Sequence, residues 1–400
     1  MNAEDTDRAY LYWLFSAPGV DRVTAMTMLA AYGSAQEVCR HAVSCLRYID
    51  RPKRREAFLA YAQAGDPTAS YERIREAGIS FTAMPLPDYP EKLRDIPDPP
   101  FGLTWIGRLP DPVQPAVAVV GARQCSEYGR IMAARFGEEL GAAGIRVISG
   151  MAVGIDGLAQ RGALRAGGES YALLAGGVDN CYPAENRELY EALKEHGGVI
   201  SESPVGMEPL RQLFPARNRL ISGFCDILLV IEARKRSGTS ITVDMALEQG
   251  RDVFALPGRV TDGLSEGCNN LIRQGAGIAT CAADLIDALR TGELYPDRRI
   301  RTGIHMFDNT DGDSHGAENT PHGSANSRGK RRTPPPLLSP EEETALRGLD
   351  LMPRSMDEIA SALQALGTPL ELPILMESLV DLCMKNVAAE EAGRFYRKGV

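Results

Sequence analysis

Val117-Ala118-Val119-Val120-Gly121-Ala122-Arg123-Gln124-Cys125-Ser126 decides the fold. Four apolar residues run into a glycine turn without the alternation of a half-exposed strand, and a helical pattern follows over 128–143. A strand of that kind is buried on both faces, which requires helices above and below a parallel sheet. The same unit recurs along the chain. Strands are expected at 117–120, 146–148, 171–174, 199–201, 227–231 and 253–256. Helices fit between them at 128–143, 158–166, 187–195, 217–222 and 239–248. This alternation predicts an α/β domain built on a doubly wound parallel sheet.

Upstream, residues 81–115 are rich in proline, from Pro85, Pro87 and Pro90 to Pro110, Pro112 and Pro115, a composition that suits an irregular connector laid over a domain. Residues 8–65 read as short helices separated by turns at Pro18-Gly19-Val20 and Tyr32-Gly33-Ser34. A proline–glycine hairpin between helices offers backbone N–H groups to a phosphate, or serves as a plain bundle turn used for protein contacts. Downstream, 297–336 hold Asp, Gly, Ser, Asn, His and Pro together with the basic run Arg328-Gly329-Lys330-Arg331-Arg332, and read as a linker whose charges touch DNA weakly or are simply solvated.

The last segment begins with a helix start, Ser339-Pro340-Glu341-Glu342, and continues with a capping box at Ser355 and Glu358. Leu372, Leu375, Leu379 and Leu382 line a third helix, and two strands are expected at 387–390 and 394–396 around Gly393. Three helices and a hairpin form the winged-helix pattern, which binds DNA or docks proteins. Glu371 and Glu377, with no Arg or Lys before Lys385, argue against base reading by that third helix. The expected division is a helical module over 1–70, the α/β domain over 80–295, a linker over 296–336 and a winged-helix domain over 337–400.

Length and charge agree with this plan. A chain of 400 residues accommodates roughly two to four domains. The net charge of −9 excludes a protein coated in basic surface, so any nucleic-acid site must be a local concentration of positive charge. No run of 18 apolar residues is present and no signal-type segment follows Met1, so the expectation is a cytoplasmic protein with no membrane contact. The eight cysteines form no C-x-x-C pair and are expected to be reduced. Three of the five histidines fall in the linker, and the α/β region holds only His196, read as a helix C-terminal residue. Histidine-based catalysis and a histidine zinc site therefore lack material, and neither a metal nor a cofactor is expected.

The chemistry concentrates in the turns that follow the strands. In the first, Gly121 lets the backbone approach a ligand, Arg123 adds a bidentate phosphate donor, and the Ser126 hydroxyl either caps the next helix or contacts phosphate. The dinucleotide pattern G-x-G-x-x-G is absent. In the second, Ser149-Gly150-Met151-Ala152-Val153-Gly154-Ile155-Asp156 would lie beside the first, with Asp156 as a structural cap. Phe214-Pro215-Ala216-Arg217-Asn218-Arg219 gathers two arginines in a stretch without acids. One is expected at a phosphate and one paired with a buried acid such as Asp226 or Asp244. Ser237-Gly238-Thr239 opens a further helix after Arg234-Lys235-Arg236 and, with Asn218, is a further candidate for DNA or phosphate contact. Tyr128, Tyr182 and Phe214 are candidates for base stacking.

Each motif is weak alone, but their order is specific. The set Val119-Val120-Gly121-Ala122-Arg123, Ser126-x-Tyr128-Gly129, Ser149-Gly150-Met151-Ala152-x-Gly154-Ile155-Asp156, Tyr182-Pro183-x-x-Asn186, Phe214-Pro215-x-Arg217-Asn218-Arg219, Ser237-Gly238-Thr239, Pro257-Gly258 and Gly267-x-Asn269 closely resembles the DNA-processing protein A (DprA, Smf) family over roughly 89–290. The resemblance implies a Rossmann-like fold, single-stranded DNA binding, homodimerisation through a surface toward the end of the α/β domain, and loading of the RecA recombinase in natural transformation. It places Gly121, Arg123, Ser149 and Gly150 at a phosphate and matches Arg217 and Arg219 to the family's arginine pair. Asn186, Gly258 and Asn269 take structural places beside Asp156. The helical module (SAM/helix-hairpin-helix-like) and the winged-helix tail resemble the family's variable accessory domains.

Two departures stand out: Ala159-Gln160 where the family usually reads Ala-His, and Ala184 where several relatives carry lysine after Tyr-Pro. Two rival functions use the same phosphate pocket, a hydrolase of small nucleotides and a sensor of a nucleotide signal. Nucleotide phosphoribohydrolases of this fold carry P-G-G-x-G-T-x-x-E, and Thr242 stands here where their working glutamate would be, which argues against an enzyme.

Overall fold

Apolar runs too long to be half-exposed become the centre of a sheet, and helices cover both of its faces. The computed structural model describes residues 3–235, 237–291, 338–349, 354–385, 387–391 and 394–397. The chain divides into two compact units, 1–312 and 313–400. The basic run at 328–332 and the three linker histidines lie outside the described residues.

The first unit starts with helices α1 (Ala3–Ser16), α2 (Arg22–Tyr32), α3 (Ala35–Arg40), α4 (Ala42–Cys45), α5 (Pro52–Ala64) and α6 (Pro67–Glu76). Strand β1 (Ser80–Ala83), helix α7 (Glu91–Arg94) and strand β2 (Gly102–Gly107) follow. The α/β alternation then runs β3 (Ala116–Gly121), α8 (Glu127–Ala142), β4 (Arg146–Ser149), α9 (Ile155–Arg165), β5 (Ser170–Leu174), α10 (Arg187–Glu195), β6 (Gly197–Ser201), α11 (Leu213–Phe224), β7 (Ile227–Ile231), α12 (Gly238–Glu248), β8 (Asp252–Ala255), α13 (Glu266–Arg273), β9 (Gly277–Ile278) and α14 (Ala282–Thr291). All six expected strands form. Their sheet has nine strands in the order β1-β2-β6-β5-β4-β3-β7-β8-β9.

The proline-rich segment corrects the expectation of an irregular connector. It contains β1 and β2, which pair antiparallel with each other, and β2 pairs antiparallel with β6, so the sheet is mixed at this edge. The prolines flank these strands and spare their interiors, as ladder hydrogen bonding requires. Nor do the N-terminal helices have a core of their own. Trp13, Phe15, Met28 and Phe58 share one apolar cluster with Phe81, Leu86, Phe101 and Val178.

Strand β3 shows why both faces must be covered. Ala116, Ala118 and Val120 pack with Leu220, Val243 and Leu271 on one side. Val117 and Val119 pack with Met132, Phe136 and Leu285 on the other. On that second face α8 and α9 approach through glycines. A β-carbon at Gly137 would lie 2.0 Å from the Ala159 carbonyl oxygen, and one at Gly162 would lie 2.3 Å from that of Ala134. Gly137→Ala is therefore expected to destabilise the protein by about 1–3 kcal/mol through overpacking, seen as a melting temperature lowered by several degrees. An unchanged melting temperature would mean that the two helices separate at no cost.

The second unit contains α15 (Pro340–Gly348), α16 (Met356–Ala365), α17 (Leu372–Met384) and the antiparallel pair β10 (Ala388–Glu391) and β11 (Arg394–Arg397). Capping boxes close at Ser339 with Glu342 and at Ser355 with Glu358. Leu375, Leu379 and Leu382 pack with Ala345, Ile359, Leu363 and Phe395, whereas Leu372, in the first turn of α17, is exposed.

Candidate nucleic-acid interface

From β3 the chain steps outward through β4, β5 and β6, then returns to lay β7 and β8 on the other side of β3. The carboxyl ends of β3 and β7 therefore flank the switch point, where doubly wound sheets take their ligands. Gly121 ends β3 so close to β7 that a β-carbon would stand 1.8 Å from the Ile231 carbonyl oxygen. The Ala122 N–H donates to the Glu232 carbonyl at 2.9 Å, and the Ile155 N–H donates to the Ala122 carbonyl at 3.2 Å. Gly154, at φ +90°, brings the second turn against the first, with a virtual β-carbon 2.4 Å from the Ala122 and Arg123 carbonyl oxygens. The two turns form one continuous rim.

Arg123 projects from that rim into solvent. Its guanidinium lies 5.5 Å from the centre of the Phe214 ring, and Tyr182 meets the same ring edge-on at 5.6 Å. Tyr182 and Val153 are about half exposed. Three motifs distant in sequence thus assemble one patch in which an exposed cation and an exposed ring flank the partly buried Phe214, a combination suited to a phosphate and an adjacent base.

Ser126 is differently placed. It caps α8, its hydroxyl accepting from the Gly129 N–H at 3.2 Å. The same hydroxyl donates to Glu232 Oε1, and the Ser126 N–H donates to Glu232 Oε2 at 2.8 Å. Of the two roles expected for Ser126, capping is the one the geometry satisfies. The Tyr128 hydroxyl donates to the Pro257 carbonyl at 3.0 Å, and its ring remains substantially exposed.

The start of the second turn is internal. Ser149 is fully buried and its hydroxyl donates to the Val119 carbonyl at 2.6 Å. The Gly150 N–H donates to Asp156 Oδ2 at 3.2 Å, and the Gly150 carbonyl accepts from Arg217 Nη1 at 2.9 Å. That peptide group is held between an acid and a guanidinium. Burial pushes the Asp156 carboxyl upward, and it lowers Arg217 to about 10, in each case against the attraction of the other.

Arg217 also donates to the Leu173 carbonyl, and Arg219 clamps Glu202 with both terminal nitrogens and reaches Asp98 at 3.2 Å. Neither arginine stands open to solvent, and both are engaged by groups of the protein, where one was expected at a phosphate and one with a buried acid. The expected acid partner is corrected as well. Asp226 accepts from Lys92 and from the Ala116 N–H, because it follows the far end of α11, roughly 10 Å or more along the axis from both arginines. Asn218, between them, is only partly exposed.

On the β7 side of the switch point, Ser237 caps the start of α12 without a side-chain hydrogen bond, Gly238 is exposed and Thr239 is buried, with exposed Arg234 and Lys235 just upstream. The Asn186 amide bridges the Met151 carbonyl and Arg161, and Asn269 exchanges hydrogen bonds with the Gly258 backbone at 3.2 and 3.0 Å.

A model of the family described as DNA recombination-mediator protein A matches residues 80–290, over half of the chain. The chain belongs to that family. Protein Smf of Synechocystis is 32% identical over 342 residues, spanning 83% of each chain. DNA processing protein DprA of Streptococcus pneumoniae is 42% identical over 198 residues, spanning 50% of this chain and 70% of the relative. The X-ray structure of DprA from that organism matches with a TM-score of 0.61 at 32% identity, covering 70% of this chain and 97% of the other.

The family departures have local explanations. Gln160, where histidine is usual, is fully buried and donates to the Tyr171 carbonyl at 3.1 Å, so it joins α9 to β5. Ala184 begins a short 3-10 turn after Pro183 and leaves that position without a positive charge. The residue that sequence reasoning missed is Glu232. Its only signal was an acid directly after an apolar strand, and its partner Ser126 lies 106 positions away.

Proposed function

We propose that this protein binds single-stranded DNA at the carboxyl edge of its sheet, with Arg123 on a phosphate and Phe214 and Tyr182 against bases. The observation that carries this reading is the surface Arg123–Phe214–Tyr182 cluster, with Arg123 and Tyr182 exposed and Phe214 partly so, since a cation beside aromatic rings tolerates any base sequence. The exposed Arg234 and Lys235 and the open start of α12 extend the phosphate track. In this reading the protein is a recombination mediator that works in the cytoplasm, binds DNA as a homodimer and presents the strand to the RecA recombinase. The same reading makes it a binding protein rather than an enzyme, since Thr242, buried within α12, stands in sequence where the hydrolase motif carries its glutamate. The second unit is read as a winged helix, and the acids Glu371, Glu377 and Asp381 around α17 favour a protein partner over DNA for it.

Fluorescence anisotropy with a labelled oligo-thymidine strand tests the proposal. Binding should weaken with salt, by about 0.7 logarithmic units of affinity per logarithmic unit of salt for each phosphate engaged, and should resist competition by duplex. No strand binding, or equal competition by duplex, would refute it.

A further inference from the structure

Glu232 is an acid at the place where a doubly wound sheet ordinarily receives an anion. It follows β7 at the switch point, is 4% exposed and has φ +53°, a left-handed conformation that side-chain-bearing residues seldom adopt. This turn sends the side chain across the crevice to the N-terminus of α8. One carboxyl oxygen accepts from the Ser126 N–H at 2.8 Å and the other from the Ser126 hydroxyl. A β-carbon on Gly129 would stand 2.2 Å from Oε2, so the carboxyl group rests directly on the first helical turn. The N–H groups and partial positive charge of such a terminus are what a nucleotide phosphate ordinarily uses. Here they are engaged by an acid of the same chain.

We propose that Glu232 is a specificity determinant: a built-in anion that fills the nucleotide-phosphate seat of this fold. Free nucleotides are thereby refused, by occupancy and by like-charge repulsion, and phosphates of a strand are received outside the seat, at Arg123. The second half rests on the DNA-binding reading above; the first half does not. Ser126 and Gly129 are positioning residues in this arrangement. Ser126 holds the carboxyl group, and Gly129 leaves it room.

The test is calorimetric titration of native protein, Glu232→Ala and Glu232→Ser with dTMP, using thymidine as the control that lacks the phosphate. Native protein should show no phosphate-dependent binding, whereas the variants should gain it, with a dissociation constant of about 1 mM or tighter. Ser carries the test if Ala does not fold, because its hydroxyl can still engage the Ser126 backbone through water. Folded variants that bind dTMP no better than native protein overturn the proposal. So does native protein that already holds dTMP with a dissociation constant below about 0.1 mM. Oligo-thymidine binding does not enter this comparison, so a failed DNA reading and a failed Glu232 assignment are told apart.

Discussion

Replacing Arg217 with alanine is expected to lower stability by about 3–5 kcal/mol, the cost of removing one member of a buried charge pair. Arg217 is 5% exposed and supplies the positive charge that faces buried Asp156. Its loss strands an acid inside the domain and uncovers the Gly150 and Leu173 carbonyls. Arg217→Lys should recover only part of the loss, since an ammonium lacks the fork that spans two acceptors. Urea denaturation reads the effect directly. A loss below about 1 kcal/mol, together with abolished strand binding, would instead make Arg217 a direct phosphate ligand.

Removing the aromatic ring of Phe214 should weaken oligo-thymidine binding about 5- to 150-fold, the range expected for one lost base stack. Arg123→Ala should weaken binding to all sequences alike and reduce the salt slope by about 0.7, one phosphate contact. Arg123 is exposed, and among the described residues its ring contact is with Phe214, so this variant should melt like native protein. Anisotropy at two salt concentrations, with melting curves as the control for Phe214→Ala, distinguishes the two contributions. An unchanged affinity in both variants would remove the patch from the binding site.

Much of the fold was legible because burial dictates composition locally. Strands buried on two faces must be continuously apolar, so β3 and β7 announced themselves, and the expected 227–231 and 187–195 match β7 and α10 residue for residue. Strands β1 and β2 did not, because the prolines around them carry the turn signal and strands of four and six residues are too short to outweigh it. In the candidate site, Arg123, Phe214 and Tyr182 were each visible as residue types. Their meeting on one ring was not, since two come from separate loops and Phe214 from the first turn of α11.

The sequence by itself determined the strand–helix alternation, the glycine turns at the carboxyl edge, the local caps at Ser339 and Ser355, and the family motifs. These depend on neighbours within a few residues, or on motif order. The tertiary structure alone decided which charges are free to meet a ligand. Arg217, Arg219 and Arg123 look alike in a row of letters. Two are enclosed by groups 17 to 121 positions away and one faces water. Whether a charged group is spent or available depends on what lies within a few ångströms of it, and sequence separation does not encode that distance.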